Sequence, residues 1–131
     1  MKYLILIISV IFLTGCGPIS IDWPEYPNIN IPPPDPPQLL TLPNADTNVS
    51  LTPEFSWIKA FGSTGSHIQV ADYSSYQNII FDSEIYENSI IIPEHLLKPD
   101  TYYYWRVSNS GIGGYSNWSL TFWFKTKIII N

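Results

Sequence analysis

The chain has 131 residues, enough for one domain, and it carries six Lys and Arg residues against 11 Asp and Glu residues, a formal net charge of −5. This negative balance, without any basic run, excludes the clustered phosphate contacts that a nucleic-acid-binding protein needs. The single cysteine, Cys16, excludes a disulfide within the chain, and the 15% of aromatic residues favours a β-rich core held together by burial alone.

The N-terminus combines a positive charge, an apolar run and small residues before the cysteine. The apolar run from Tyr3 to Phe12 is shorter than the roughly 20 residues of a membrane-spanning helix, which predicts a signal peptide over residues 1–15. The run Leu13-Thr14-Gly15-Cys16 resembles the lipobox of bacterial lipoproteins. The resemblance implies a lipid on Cys16 and attachment to the cell envelope, in the outer membrane where the organism has one, because Gly17 and not Asp follows. A plain secretory signal with an incidental cysteine is the alternative.

A proline-rich tether follows and, together with the lipidated Cys16, occupies residues 16–37. It holds eight of the chain's 12 prolines. Proline cannot donate to a strand ladder, so an extended polyproline II conformation is expected. At about 3.1 Å per residue the tether would reach on the order of 65 Å as a semi-rigid stalk. Within it, Trp23 and Tyr26 either dock into an aromatic-lined groove of a partner or lie on the membrane or on the domain.

Apolar alternation and turn residues divide residues 38–127 into short strands. Strands are expected at residues 38–42, 53–59, 67–72, 76–82, 89–92, 101–109 and 118–126, with a turn at Pro43 to Asp46 and a loop at Phe61 to Ser66. This spacing, without helical periodicity, predicts an all-β domain, a seven-stranded antiparallel β-sandwich. In the tail, residues 128–131, the isoleucines Ile128 to Ile130 either extend the last strand or form an edge for association.

Four pieces of this region together resemble a fibronectin type III domain. Leu97-x-Pro99-x-Thr101-x-Tyr103-x-Trp105 is similar to strand F of that family and Phe55-Ser56-Trp57 to its strand B. Ile68 to Asp72 followed by Asn78 to Asp82 is similar to its C to C′ region, and Gly114 to Thr126 to its strand G. The resemblance implies a fibronectin type III or immunoglobulin-like sandwich with Trp57, Tyr103 and Trp105 in its core. It also implies that Tyr103 forms a tyrosine corner, with its hydroxyl bonded to the backbone near Leu97 to Pro99.

One face of the predicted sheet gathers aromatic side chains around a single arginine. If Tyr103 and Trp105 point inward, alternation turns the residues between and beside them outward. With the outward residues of neighbouring strands, the candidate ligand or partner face consists of His67, Gln69, Tyr102, Tyr104, Arg106 and Trp123. Such a face suits sugar rings or an extended peptide. Alternatively it is a cation–π ladder in which Arg106 lies between Trp123 and the tyrosines.

No catalytic constellation is apparent in the sequence. His67 and His95 are far apart, no serine has a plausible base, and Cys16 is taken by lipid, so no catalytic residue is assigned. No cofactor or metal is expected either. The carboxylates of Asp72, Asp82 and Glu84 are either solvated side chains near a turn or contacts for a Ca²⁺ ion. Their spacing matches no known calcium-binding loop.

The sequence therefore predicts a membrane-anchored, non-catalytic binding or adaptor module of the bacterial cell envelope, held there by the lipid on Cys16. Its expected partner is another envelope or extracellular protein, and nucleic acid is not a partner. Two alternatives stay open: a carbohydrate-binding surface lipoprotein that uses the aromatic face, and a structural spacer or assembly subunit. Three glycines, Gly111, Gly113 and Gly114, precede the last predicted strand. They do not form a phosphate-binding loop, because no helix N-terminus follows them. They either meet the geometry of a turn or contact a partner.

Overall fold

Nine strands form two sheets in the part of the chain that the structure describes. The structure is a computed structural model that describes residues 21–22, 24–25 and 27–130. The predicted signal peptide, Cys16, Trp23 and Tyr26 lie outside the described residues. The strands are β1 (Gln38–Thr41), β2 (Asp46–Val49), β3 (Glu54–Ile58), β4 (Ser63–Ala71), β5 (Ile79–Ile85), β6 (Ser89–Ile91), β7 (Tyr102–Gly111), β8 (Gly114–Tyr115) and β9 (Phe122–Thr126). Over these ranges, no helix has the length and apolar character needed to cross a membrane.

The two sheets pack face to face, which confirms the predicted all-β sandwich. The small sheet has the strand order β1-β3-β6, and the large sheet has the order β2-β9-β7-β4-β5, with β8 paired to the end of β7. The pairs are antiparallel apart from β2, which runs parallel to β9. The ten-residue strand β7 lies between β4 and β9. It is therefore the centre of the large sheet, as the aromatic run in the sequence indicates.

Strand alternation places large side chains from both sheets in one core. Tyr103, Trp105 and Val107 of β7 are buried, and so are Phe55 and Trp57 of the opposing strand β3. The rings of Phe55 and Trp105 meet edge to face, with 4.7 Å between their centroids. Such a pair contributes about 0.5–1.5 kcal/mol beyond the burial of its area. This aromatic contact joins the two sheets at the middle of the sandwich.

The corner before β7 satisfies the one polar atom of a buried tyrosine. The hydroxyl of Tyr103 accepts a hydrogen bond from the backbone N–H of Lys98 at 2.8 Å. Thr126, at the end of β9, closes the same corner: its hydroxyl accepts from the Thr101 N–H at 3.0 Å and donates to the Lys98 carbonyl at 2.6 Å. The corner residues are thereby held against β9, and the Tyr103 ring stays buried without losing a hydrogen bond.

The strand count and one strand direction differ from the predicted seven antiparallel strands. Residues 46–49, of which Asp46 was assigned to a turn, form β2 beside β9. Only Val49 of this short strand is buried, so its polar sequence shows no apolar alternation. The second additional strand, β8, has two residues and closes the hairpin that follows β7. Both strands are too short and too polar for periodicity to reveal them.

The bounds of the two strands beside β7 also correct the prediction. β4 begins at Ser63, inside the predicted loop, because Gly65 allows close pairing: a Cβ there would lie 2.9 Å from the Ser110 hydroxyl oxygen. β5 begins at Ile79 and not at Tyr76. A turn precedes it, in which the Tyr76 N–H donates to the Tyr73 carbonyl at 3.0 Å. The backbone of Tyr76 therefore does not pair with β4, and its ring can reach over the sheet.

The C-terminal strand is shorter than predicted. β9 begins at Phe122 and not at Trp118, because the hydroxyl of Ser119 accepts the Val107 N–H at 3.1 Å, where a strand carbonyl would otherwise serve. It ends at Thr126, so the isoleucines at 128–130 do not extend it, and all three are exposed.

The last part of the tether packs against the domain and is not a free stalk. We call residues 31–37 the proline strap. The backbone carbonyl of Asp35 accepts a hydrogen bond from the buried Asn109 amide at 2.8 Å, and Pro37 is buried. The expectation of a stalk over the whole tether is therefore wrong for the proline strap. The cause is the hairpin surface beneath it, where glycines leave room for the chain.

Candidate functional site

The outer side of the large sheet carries a surface that we call the ladder face. Its side chains are those of His67, Gln69, Tyr76, Asp82, Tyr102, Tyr104, Arg106, Tyr115, Trp118 and Trp123. Strand register brings them together, because residues directly opposite each other in a sheet share a face. Gln69 of β4 lies opposite both Arg106 of β7 and Asp82 of β5, and Tyr104 lies opposite Trp123 of β9.

Arg106 lies between two aromatic rings at the centre of the ladder face. Its Cζ atom is 3.8 Å from the centroid of the Tyr76 ring and 4.2 Å from the centroid of a Trp118 ring. A cation over an aromatic face contributes about 0.5–1 kcal/mol when exposed and more when it is desolvated. Arg106, Tyr76 and Trp118 are all half-buried. The stack therefore shields the guanidinium and holds both rings in place.

A row of polar side chains fixes the plane of the guanidinium. Its Nε and Nη2 atoms donate to Oε1 of Gln69 at 3.1 and 2.8 Å. Gln69 in turn donates through Nε2 to Oδ2 of Asp82 at 3.0 Å, and the other carboxylate oxygen of Asp82 contacts Nε2 of His67. Each side chain in this row bonds to at least one other in the row, so the centre of the ladder face is held by a connected polar network.

The charges in this row balance each other. Partial burial acts to raise the pKa of Asp82, but the hydrogen bonds from His67 and Gln69 and the positive charge of Arg106 outweigh it and hold the pKa below its ordinary value. Asp82 is therefore ionised at neutral pH and compensates Arg106. Burial raises the pKa of Tyr76, so its hydroxyl stays neutral and donates to Oγ1 of Thr121 at 3.4 Å.

Two serines position Trp118 over the arginine. Ser119 donates its N–H to the Val107 carbonyl at 2.8 Å, and its hydroxyl accepts the Val107 N–H. Ser116 makes the same pair of bonds with Asn109, at 2.8 Å through its N–H and 2.9 Å through its hydroxyl. Because side-chain oxygens replace strand carbonyls, this segment follows β7 without becoming a strand. The Trp118 ring can therefore lie over Arg106.

One end of the ladder face is an aromatic pair beside an ion pair. The rings of Tyr102 and Trp123 are tilted by 55° with centroids 5.6 Å apart. Nζ of Lys125 lies 5.2 Å from the centroid of Tyr102 and 2.6 Å from Oδ1 of Asp100. The hydrogen bond to Asp100 raises the pKa of Lys125, so the lysine is charged at neutral pH. This end is half-exposed and carries both an aromatic ring and a cation.

The other end of the ladder face is built around His67. Its ring meets Trp118 at 5.1 Å and Tyr115 at 6.2 Å between centroids. The Tyr115 hydroxyl donates to the Glu84 carboxylate, and this bond raises the pKa of Tyr115. An exposed tyrosine thus closes each end of a stacked and hydrogen-bonded centre.

The structure brings the predicted residues onto one face, but in a different arrangement. Trp123 packs against Tyr102 and lies opposite Tyr104, whereas the predicted ladder placed it against Arg106. Gln69 was expected to offer its amide to a ligand. It is only 8% exposed, because it lies between Arg106 and Asp82 on the two neighbouring strands and bonds to both.

Four members of the ladder face were missing from the prediction. Tyr76 was placed within a strand, Trp118 at the start of another and Tyr115 in the hairpin between strands, and none of these positions suggests a place on the ladder face. Asp82 was considered only as a turn carboxylate or as a contact for Ca²⁺. Its alternation with the half-buried Phe81 was the available signal, since it turns Asp82 to the outside of β5.

The carboxylates considered for calcium do not converge. Asp72 accepts a hydrogen bond from the Asn78 amide at 2.8 Å, while Asp82 bonds to His67 and Gln69, and Glu84 bonds to Tyr115. Among the residues that the structure describes, no group of three His, Cys, Asp or Glu side chains could hold a metal ion. What the ladder face can do chemically is stack and hydrogen-bond.

Solved structures that match this fold include fibronectin type III domains. A fibronectin type III-like protein from Clostridium thermocellum matches over 75% of this chain and 98% of its own, with 17% identity and a TM-score of 0.54. The FN5 domain of Drosophila Lar matches over 72% of this chain and 97% of its own, with 21% identity and a TM-score of 0.53. The chain has a fibronectin type III-like fold. No protein-family model and no curated protein matches its sequence.

The same fibronectin type III-like fold also occurs as a part of larger proteins. An α-L-rhamnosidase from Dictyoglumus thermophilum matches over 76% of this chain, with 19% identity and a TM-score of 0.58, but the match covers only 13% of the enzyme. At this identity the likeness is one of fold. Fibronectin type III domains are typically non-catalytic modules, and the fold alone does not identify a partner.

Proposed function

We propose that this chain is a membrane-anchored, non-catalytic binding or adaptor module of the bacterial cell envelope that contacts another protein through the ladder face. One observation carries the proposal. Two tyrosines, Tyr102 at 49% exposure and Tyr115 at 51%, flank a centre that is already stacked and hydrogen-bonded. The centre is preorganised, and each tyrosine still exposes about half of its surface to a partner.

Composition and rigidity both favour a protein partner. Aromatic residues and arginine are enriched at protein interfaces and at their energetic hot spots. Side chains that are already fixed lose little conformational freedom on binding, which lowers the entropic cost of association. On the ladder face, Arg106 holds Tyr76 and Trp118, and Trp118 packs on His67, so most of this cost is met within the folded chain.

Carbohydrate capture is less well supported by the same contacts. A sugar ring stacks on a free aromatic face, but Arg106 covers one face each of Tyr76 and Trp118. At the end of the ladder face, Lys125 lies over the Tyr102 ring, and Trp123 is tilted against that ring. The rings therefore do not form a flat open platform.

The anchor of the proposed function is the lipid on Cys16. Each buried CH₂ contributes about 0.8 kcal/mol, so two or more acyl chains would hold the domain on a membrane without a transmembrane helix. We expect the Cys16→Ser chain to move from the membrane fraction to the soluble fraction, with loss of the acyl mass from the N-terminal peptide. A Cys16→Ser chain that stays in the membrane fraction would contradict the anchor.

Binding is tested with a soluble chain that begins at Gly17 and is immobilised at that end. It is exposed to native envelope extract and, separately, to soluble polysaccharides. The test variant is Tyr102→Ser/Tyr115→Ser. The matched control is Leu40→Ser, which removes a 46% exposed side chain from the outer side of the small sheet. We expect one envelope protein to be retained by wild type and control, and roughly tenfold less of it by the test variant.

Three outcomes would contradict the proposed contact. Equal retention by the wild type and the test variant would indicate that the contact lies on the loops or on the isoleucines at 128–130. Retention of a polysaccharide, with a change in tryptophan emission, would favour carbohydrate capture. If nothing is retained, the chain is better explained as a structural spacer.

A further inference from the structure

A chain of buried polar groups ties the proline strap to the core. The Trp57 indole N–H donates to the Ser66 hydroxyl at 2.9 Å, and Ser66 donates to Oδ1 of Asn109 at 3.2 Å. The Asn109 amide then donates to the backbone carbonyl of Asp35 in the proline strap. Asn109 is fully buried, so removal of the strap would leave its amide N–H without this partner, which is unfavourable. The proline strap is therefore a fixed part of the domain.

Glycines in the hairpin after β7 make room for the proline strap. A Cβ atom on Gly113 would overlap the backbone carbonyl oxygens of Ile31 and Pro32. A Cβ on Gly111 would lie 3.2 Å from Cδ of Pro34. Only a residue without a side chain allows this approach at Gly113. The hairpin glycines thus determine where the proline strap crosses the domain, and the tether leaves the domain at this end of the sandwich.

Large apolar side chains surround the point where the tether leaves. Phe61, in the loop between β3 and β4, is fully exposed, and Ile112, at the hairpin tip, is 82% exposed. Together with Ile31 and its neighbouring prolines they line an open groove of about 470 Å³. We call Phe61, Ile112 and residues 31–33 the anchor-side pole. Exposed apolar patches of this kind usually mark contact with a partner or a membrane.

The length of the free tether favours the bilayer as the occupant. Ile31 lies 15 residues after Cys16, a span of about 47 Å in a polyproline II conformation at 3.1 Å per residue. The opposite pole is farther from the anchor by the length of the ten-residue strand β7, about 33 Å. A lipid on Cys16 therefore keeps the anchor-side pole at high local concentration near the membrane, and closer to it on average than the opposite pole.

We propose that the anchor-side pole rests on the bilayer, with Phe61 and Ile112 in the interfacial region. This inference rests on the lipid anchor of the proposed function. Two apolar side chains do not hold a protein on a membrane, but beside an acyl anchor they set its orientation. The strands then stand away from the membrane, and the ladder face is presented sideways to a partner.

The orientation is measured with fluorescent labels on the full lipidated chain in phosphatidylcholine vesicles. Cys16 is the sole cysteine and its thiol is acylated, so Ile112→Cys supplies one free thiol for a label. The matched control is Ile130→Cys, another isoleucine, 91% exposed and located beyond β9 at the opposite pole. Vesicles with a nitroxide-labelled phospholipid should quench the label at 112 about twofold and leave the label at 130 unchanged. Phe61→Cys should behave like Ile112→Cys.

The controls separate failure of the inference from failure of the anchor. Flotation of the chain with the vesicles reports the anchor alone. If the chain floats but the labels at 112 and 130 are quenched equally, or the label at 112 is not quenched, the orientation is wrong. A label at 112 that is shielded from a water-soluble quencher but not reached by the lipid nitroxide would mean that a second copy covers the pole, which also overturns the inference. If the chain does not float, the lipid anchor is contradicted, and so is the orientation that depends on it.

Discussion

Replacement of Arg106 by alanine should destabilise the domain more than a surface substitution does. The change removes a guanidinium that lies 3.8 and 4.2 Å from two ring centroids and donates two hydrogen bonds to Gln69. Gln69 is only 8% exposed, so water cannot fully replace the lost bonds. The Tyr76 and Trp118 rings also lose the side chain that separates and holds them.

The expected loss follows from these contacts. Two cation–π contacts contribute about 0.5–1 kcal/mol each, and a hydrogen bond to a charged group about 1.5–3 kcal/mol. Arg106 is half-exposed and its contacts are not additive, so we expect a loss of about 2–4 kcal/mol in the free energy of unfolding. For a domain of this size that corresponds to a fall of roughly 10–25 °C in Tm. Arg106→Lys, which keeps the charge and loses the planar fork, should lose about half as much.

Urea unfolding of the soluble chain from Gly17, followed by tryptophan emission at pH 7, measures these values. A double-mutant cycle with Trp118→Leu should give a coupling of about 0.5–2 kcal/mol between the two side chains. A loss below about 0.5 kcal/mol for Arg106→Ala, or strictly additive effects of the two substitutions, would refute the ladder as a structural brace.

Three further predictions test the corner, the polar row and the proline strap. Tyr103→Phe should lower the free energy of unfolding by about 1–2 kcal/mol in urea titrations, because the Lys98 N–H loses its acceptor; an unchanged midpoint would exclude the corner bond as a stabiliser. The carboxylate of Asp82, whose folded pKa is below the ordinary value of 3.8, stabilises the domain above its unfolded pKa and ceases to do so as the pH falls through its folded pKa. The stability difference between wild type and Asp82→Asn should therefore be constant at neutral pH and shrink below about pH 4, and a difference that does not vary with pH would contradict the shift. Gly113→Val should displace the proline strap and speed its cleavage by a non-specific protease roughly tenfold, whereas the neighbouring Ile112→Ala should not; equal rates would show that the strap is not held by the hairpin.

The fold class could be predicted because its signals are local. Alternation on β7 separates Tyr103 and Trp105 from Tyr102 and Tyr104, and the structure buries the first pair and turns the second outward. The corner motif before β7 depends on a spacing of a few residues and is therefore visible in the sequence. β2 was missed because it has one buried residue, and its pairing with β9 depends on chain reversals that periodicity does not encode.

The ladder face could be predicted as a surface but not as a set of contacts. Alternation indicates that Arg106 points outward, yet its two aromatic neighbours come from segments outside the strands. Trp118 reaches Arg106 only because Ser116 and Ser119 replace strand bonds, and Tyr76 only because a turn delays β5. Likewise, the proline pattern indicates an extended tether, but only the packing of Gly113 shows where the last part of it lies.

Site-specific photo-crosslinking in intact cells tests the central claim, a protein contact at the ladder face, most directly. A photoreactive phenylalanine derivative replaces Tyr102, Tyr115 or Leu40 in the full chain, three positions with matched exposures of 49%, 51% and 46%. We expect one discrete protein adduct from positions 102 and 115 and none from position 40 on the opposite sheet. The same adduct from all three positions, or none from 102 and 115, would contradict a protein contact at the ladder face.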